Sequence, residues 1–168
     1  MSILVNGTAV EIPDDPRVSL LDFLRDHQGL TGSKKGCNQG ACGACTVLAN
    51  DERILSCLAL AVQYDGQEIT TIEGLGTVDS QHPLQQAFVE HDGFQCGYCT
   101  PGQICSAVGM VAEIQRGVPS HVTQALDIDS VVLTRDEVRE RMSGNLCRCG
   151  AHNGIIDAIL ATFPEAAE

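Results

Sequence analysis

The feature that most constrains this chain is its cysteine supply: nine in 168 residues, most of them grouped by spacing. Cys37, Cys42 and Cys45 crowd into 34-KKGCNQGACGACTV-47 beside Gly36, Gly40 and Gly43, and Cys57 follows after eleven more residues. Cys96 and Cys99 form a second close pair, Cys147 and Cys149 a third, and Cys105 is left over. The opening MSILVNGTAVEIP lacks a basic start followed by an apolar run, so no export signal is read and a cytoplasmic location is expected. A leader removed beforehand, or export together with a partner, would make the location periplasmic. In a reducing compartment disulfides do not persist, and an odd count defeats full pairing. Clustered cysteines there read as metal ligands or redox groups.

The first group, C-x4-C-x2-C followed by a distant fourth cysteine, has the ligand spacing of plant-type [2Fe–2S] sites. Four thiolates must converge on a small anionic core, and the chain must wrap closely around it. Glycines let the backbone approach and aim N–H groups at the sulfurs. Such hydrogen bonds stabilise the added electron and raise the potential. Zinc is the competitor, but structural zinc sites usually bring two short cysteine knuckles, whereas here three ligands share one loop. Cys57, within the apolar run 53-RILSCLALAV-62, would alone be a core cysteine. Its place after the other three makes it a ligand candidate.

The second group, Cys96, Cys99, Cys147 and Cys149, is less specific by spacing, and zinc competes more strongly for it. Cys99 immediately precedes Thr100-Pro101, a capping residue followed by a proline suited to a helix start. Cys147 and Cys149 precede the last expected helix. Each pair is thus expected at a helix N-terminus, where the positive end of the dipole favours thiolate and an anionic cluster. Cys105, one turn into the helix after Cys99 and near Ile104 and Val108, reads as a buried structural cysteine. His27, His82, His91, His121 and His152 lack the pairing of a Rieske site. Lys34 and Lys35 are either counter-charges for a cluster or a solvated loop end. No stretch ends in the Gly-Lys-Ser/Thr of a phosphate loop, and no Ser–His–acid set stands out, so no substrate-converting site is expected on this chain.

The rest of the chain divides by character. Residues 2–6 and 9–12 read as strands around the turn Asn6-Gly7. Ser19 caps a helix with Leu20, Leu21 and Leu24 inside. Stretches 46-TVLA-49 and 68-EITTI-72 read as further strands, the second as the last. From 74-GLGTVDSQHP-83, which has a linker's composition, the signals become helical. Pro83 opens a helix with Leu84, Ala87 and Phe88 inside, and Ile104, Val108 and Val111 recur at helical spacing. Residues 117–133 read as irregular. Thr134 and Glu137 form a capping box for TRDEVRERM, and Ile155, Ile156, Ile159, Leu160 and Phe163 line a final helix. The tail EAAE reads as frayed. The chain divides into a strand-rich unit over 1–76, a linker over 77–82 and a helical unit over 83–168. With 43 % apolar but only 4 % aromatic residues, the core is aliphatic. A formal charge of −12 makes nucleic acid an improbable partner, and no apolar run approaches the ~20 residues of a membrane span.

Four motifs in order, 32-GSKKGCNQGACGACTV-47, 82-HPLQQAF-88, 95-QCGYCTPG-102 and 143-SGNLCRCG-150, resemble the small iron–sulfur subunit of molybdenum hydroxylases, the xanthine dehydrogenase/aldehyde oxidoreductase family. The resemblance runs from the first strand to the last helix. It implies an α+β chain: an N-terminal β-grasp ferredoxin-like domain, then an all-α four-helix bundle. It implies two [2Fe–2S] clusters, one on Cys37, Cys42, Cys45 and Cys57, the other on Cys96, Cys99, Cys147 and Cys149. It places the second cluster nearer a molybdopterin cofactor, with or without a cytosine dinucleotide, on a large partner subunit. The plant-type cluster then faces FAD on a medium subunit of a heterotrimer. Gln95 matches the glutamine that hydrogen-bonds the pterin, and Cys149 the cluster ligand beside it. The implied function is electron transfer, within an oxidoreductase complex, from a molybdenum site that oxidises an aldehyde or N-heterocycle. A free-standing two-cluster ferredoxin-like shuttle is the alternative. The segment 150-GAHNG-154 and the long stretch over 117–142 depart from the commonest pattern and look like bacterial aldehyde oxidoreductases, whose small subunit is often exported by a twin-arginine leader.

Overall fold

Alternating apolar residues at the N-terminus build the first hairpin of a five-stranded sheet. The computed structural model describes residues 1–124 and 131–164. Strand β1 (Ser2–Val5) turns Ile3 and Val5 inward and pairs antiparallel with β2 (Thr8–Glu11). Asn6 and Gly7 both take positive φ, 50° and 77°, as the two-residue turn expected there requires. Then β3 (Thr46–Ala49), β4 (Glu52–Leu55) and β5 (Glu68–Thr70) complete the sheet in the order β2-β1-β5-β3-β4. Only β1 and β5 run parallel, in the register Val5 opposite Ile69.

One face of this sheet is closed by α1 (Leu20–Asp22), which continues as a wider π-type turn over Phe23–His27. Ser19 caps it, its Oγ accepting from the Asp22 N–H at 3.0 Å. Leu20, Phe23 and Leu24 pack there with Ile3, Val47 and Ile69. Residues 46–49 are buried on both faces because the long helix α4 (Thr100–Gln115) covers the other side. A methyl group at Gly109 of α4 would lie 3.0 Å from Leu48 and from Arg53, so helix and sheet meet almost backbone to backbone.

The helical half comprises α2 (Ile72–Leu75), α3 (Pro83–Glu90), α4, α5 (Arg135–Arg141) and α6 (His152–Thr162). Leu84, Phe88, Met110, Val138, Ile155 and Ile159 form its centre, apart from the core under the sheet. Ile72 and Leu75, which directly follow the last strand, already pack against this second core. Pro83 stands in the first turn of α3, where His82 Nδ1 accepts from the Leu84 N–H and Gln85 Oε1 from the His82 N–H.

Several local expectations are corrected. The segment 53–62 is not one apolar stretch: β4 begins it, behind a turn in which Asn50 and Asp51 both have positive φ. Charged Glu52 and Arg53 hid that strand from an apolar-run reading. Strand β5 stops at Thr70, since Ile72 starts a helix. The cap of α4 is Cys99, one residue before the Thr100 expected, so Thr100 and Pro101 are already helical. Thr134 does accept from the Glu137 N–H, but the Glu137 carboxylate does not reach back. It accepts from Ser120 Oγ, Thr123 Oγ1 and Arg141 Nε, at 2.7, 2.5 and 2.8 Å. The expected frayed tail, 165–168, lies outside the described residues, as does part of the irregular segment.

An ion-pair network holds the two halves together. Arg53 on β4 meets the Glu113 carboxylate of α4 through Nε at 2.6 Å and Nη2 at 2.9 Å, and donates to Ser106 Oγ and the Arg141 carbonyl. Arg141 in turn pairs with Glu137 and lies 3.6 Å from Glu113. Burial pushes the Glu137 carboxyl up, but donors on Thr123, Ser120 and Arg141 outweigh it and hold the group below the usual carboxyl range.

Candidate metal centres

The first cysteine set forms where the chain leaves the π-type turn and enters β3. The loop closes on itself: the Lys34 N–H donates to the Ala44 carbonyl at 3.0 Å and the Thr46 N–H to the Gly43 carbonyl at 3.1 Å. Cys57 arrives from beyond β4, positioned by Ser56, whose Oγ donates to the Cys45 carbonyl at 2.7 Å. The thiols fall into two neighbouring pairs, Cys37 with Cys42 and Cys45 with Cys57. The N–H groups of Gln39 and Ala41 hold the Cys37 thiol down to about 7, that of Ala41 lying 3.2 Å from its sulfur. Burial pushes Cys45 up to about 11, consistent with its lying deepest in the loop.

The second set is gathered from two segments distant in sequence. Cys99 caps α4, and Cys147 receives the Ala151 N–H, at the start of α6, at 3.4 Å. Both pairs therefore meet the positive end of a helix, as the sequence suggested. Here too the thiols pair, Cys96 with Cys149 and Cys99 with Cys147. The Tyr98 N–H and the Cys149 thiol lower Cys96, whereas burial raises Cys99 to about 11. At Cys147 burial acts upward, but donors led by the Ala151 N–H outweigh it and leave the thiol below its ordinary range.

The two sets face one hollow of about 400 Å³, lined in part by Cys37, Cys42, Cys96, Cys99, Cys147 and Tyr98. Tyr98 Oη donates to the Lys35 carbonyl at 3.2 Å, and the Leu146 N–H to the Cys42 carbonyl at 2.9 Å. At the second set the two pairs adjoin, since Cys99 is influenced by both Cys147 and Cys96. Thiols in pairs of pairs suit a group with two metal atoms, each taking two. Sulfur-directed N–H groups on Ala41 and Ala151 fit such an anionic group. The Thr100 hydroxyl fits it as well: among the described residues it is the one buried side-chain polar atom without a partner, and it adjoins Cys99.

Other expected participants fall as follows. Cys105 lies in the core at 1 % exposure, its thiol pushed up to about 12 by burial, and belongs to neither set. Lys34 donates to the carbonyls of Thr31 and Gly32, and Lys35 pairs with Asp22 at 2.8 Å, so both ammonium groups are engaged away from the thiols. Gln95 is exposed beside Cys96. Phe94, Tyr98 and Leu146 leave an apolar rim around the second set. Asn145, only 6 % exposed, was not singled out from sequence. It stood within 143-SGNLCRCG-150, but nothing local marks an asparagine as buried.

Comparison with known proteins agrees with this geometry. Residues 3–68 match the family of 2Fe-2S iron-sulfur cluster binding domains, and residues 71–160 match a second family described as a [2Fe-2S] binding domain. The chain is 57 % identical over 159 residues to the aldehyde oxidoreductase iron-sulfur-binding subunit PaoA of Escherichia coli K12, covering 95 % of this chain and 69 % of that protein. It is 43 % identical over 164 residues to the caffeine dehydrogenase subunit gamma of Pseudomonas sp. CBB1, covering 98 % and 90 %. The crystal structure of quinoline 2-oxidoreductase from Pseudomonas putida 86 includes a chain that superposes with a TM-score of 0.82 at 42 % identity, covering 99 % of this chain and 92 % of that one. The chain belongs to the electron-transferring iron–sulfur small subunits of the molybdenum hydroxylases, the xanthine dehydrogenase/aldehyde oxidoreductase family.

Proposed function

We propose that this chain carries electrons from a molybdopterin site on a large partner subunit to FAD on a medium one, within a heterotrimeric oxidoreductase that oxidises an aldehyde or an N-heterocycle. The observation that carries this reading is the thiol arrangement: two sets, each of two pairs, facing one hollow. We assign Cys37, Cys42, Cys45 and Cys57 to one [2Fe–2S] cluster, and Cys96, Cys99, Cys147 and Cys149 to the other. When bound, the clusters supply one-electron storage; the protein supplies position, burial and electrostatics.

The chain's own groups suit that work. N–H donors to Cys37 and Cys147, and the N-terminus of α4 at Cys99, lower the cost of negative charge on sulfur. The second set has an accessible edge at Cys96, next to exposed Gln95 and the apolar rim of Phe94, Tyr98 and Leu146. We assign that edge to the pterin-bearing subunit, with Gln95 and Cys149 nearest the pterin, whether or not it carries a cytosine dinucleotide. The half-buried side of the first set then faces the flavin subunit. A free-standing shuttle has less need of such a rim, and the relatives above carry the word subunit in their names.

We read residues 1–76 as a β-grasp ferredoxin-like domain, 77–82 as a linker and 83–168 as a four-helix-bundle domain. The separate cores support this, although Ile72 and Leu75 pack with the helices. With eight cysteines assigned to clusters rather than to disulfides, a reducing compartment suits the chain, and we assign the cytoplasm. Among the described residues no helix is long and apolar enough to cross a membrane. The test is metal and acid-labile sulfide analysis with EPR of the reduced chain. Two distinct [2Fe–2S] signals are expected; bound zinc or a single signal overturns the assignment. Co-purification with molybdenum- and flavin-containing chains tests the partners.

A further inference from the structure

Between the two cysteine sets lies a buried side chain that belongs to neither. Asn145 directs Nδ2 toward three oxygens, the Gly43 carbonyl at 3.0 Å, the Gly102 carbonyl at 3.2 Å and Thr46 Oγ1 at 3.3 Å. Gly43 stands between Cys42 and Cys45, and Gly102 lies in the first turn of the helix that Cys99 caps. Asn145 itself precedes Cys147 by two positions. One amide therefore ties together the backbone of the first loop and both segments of the second set. The Asn145 carbonyl accepts from buried Gln103 Nε2 at 2.9 Å, and the next N–H, that of Leu146, reaches the Cys42 carbonyl.

The fit is tight. A methyl group at Gly43, whose φ is +72°, would lie 2.6 Å from Asn145 Nδ2, and one at Gly102 would lie 2.5 Å from the Gly43 carbonyl oxygen. The three segments meet at backbone distance only because both positions lack a side chain. An amide NH2 has two donor hydrogens, whereas a carboxylate has none, so aspartate at this position would oppose three oxygens with a fourth acceptor.

We propose that Asn145 is the positioning residue that fixes the spacing between the two cysteine sets, and with it the coupling between the centres they hold. This inference rests on the electron-transfer reading above. It names the device that keeps donor and acceptor at constant distance when the complex turns over.

The test uses the full chain with its native metal content. EPR of the fully reduced wild type first establishes two signals and the magnetic splitting between them; if two signals are absent, the functional reading fails before Asn145 is tested. Asn145→Asp, nearly the same size, and Asn145→Ala are then compared at equal iron and sulfide content. Both signals are expected to remain while the splitting narrows or is lost. Thr46→Val, which removes one acceptor of Asn145 together with the Thr46 Oγ1 donor to the Gly43 carbonyl and leaves Asn145 in place, is expected to give the same change in smaller measure, and decides the matter if the Asn145 variants do not fold. Glu113→Gln loosens the same seam away from the cysteines and controls for general destabilisation. It is expected to lower Tm without changing the splitting. An unchanged splitting with both signals intact overturns the proposal. So does loss of one cluster in the Asn145 variants, or an equal change in Glu113→Gln.

Discussion

The two cysteine sets are built by opposite routes. In the first, one short loop brings three thiols together and closes on itself through backbone hydrogen bonds, with Cys57 delivered by the adjoining hairpin. In the second, two distant segments meet only because α4, α5 and α6 pack around a shared core. A site written into local sequence tolerates loosening elsewhere. A site assembled from tertiary packing inherits the stability of that packing. The halves therefore differ in what can destroy them, and that difference is open to experiment.

The largest effect is expected from removing a ligand. Cys149→Ser should eliminate or alter the second EPR signal and leave the plant-type signal in place, while Cys42→Ser should do the converse. Loss of both signals in either variant breaks the division into independent sets. Next comes the helical core. Glu137 and Arg141 form a buried pair with side chains 5 % and 3 % exposed. Removing Glu137 leaves the buried Arg141 guanidinium with the more distant Glu113 carboxylate at 3.6 Å, so the cost approaches that of breaking a buried pair, about 3–5 kcal/mol. Glu137→Ala should lower the unfolding free energy by that measure, seen as a lower denaturant midpoint, and release the second cluster before the first. The same pair sets an acid limit. Its partners depress the folded carboxyl pKa, so Glu137 contributes stability above the ordinary carboxyl range and loses it as pH falls through the folded value. Acid should then bleach the second signal first, and Glu137→Gln should remove that component of the pH dependence.

How much could be read from the chain followed the same divide. The hairpin at Asn6-Gly7, the Ser19 cap, strand 46–49 and Pro83 at the start of α3 are governed by neighbouring residues, and the structure contains each one. So is the first cysteine loop, whose spacing alone carries its chemistry. What the chain did not disclose depends on contacts distant in sequence. Strand β4 carries Glu52 and Arg53, the latter spent on α4, so it did not resemble a strand. Glu137 left its capping box because Ser120, Thr123 and Arg141 offered better donors. Asn145 looks like a turn residue until three segments converge on it. The second set was less specific by spacing, which spans a helix and more; its helix N-termini favoured a cluster over zinc, and the family resemblance made the assignment specific.

Loosening the seam between the halves should give a smaller effect. Arg53 and Glu113 form a two-bond ion pair with side chains 22 % and 20 % exposed, and Arg53 also donates to Ser106 and the Arg141 carbonyl. Hydrogen bonds to charged groups contribute about 1.5–3 kcal/mol each at most, and partial exposure screens this pair, so Arg53→Ala should cost about 1–3 kcal/mol. The informative readout is cooperativity. Wild-type unfolding followed by far-UV circular dichroism and by cluster absorbance should coincide. In Arg53→Ala the two probes should separate, the second cluster leaving earlier. Coincident probes in the variant would mean that the seam does not couple the halves.

The smallest effect is expected at the ninth cysteine. Cys105 lies on α4, nearly two turns beyond Cys99, and by proximity alone could be mistaken for a ligand. Its surroundings argue otherwise. It is 1 % exposed, enclosed in the protein core, and burial raises its thiol to about 12. Cys105→Ala removes one buried atom and should cost about 1 kcal/mol, a typical value for a single core change. Iron content and both EPR signals should stay as in the wild type. Loss of the second signal would show that α4 supplies that set with more than its N-terminus. It would also narrow the contrast between the halves, because the helical site would then depend on a thiol from the core that supports it.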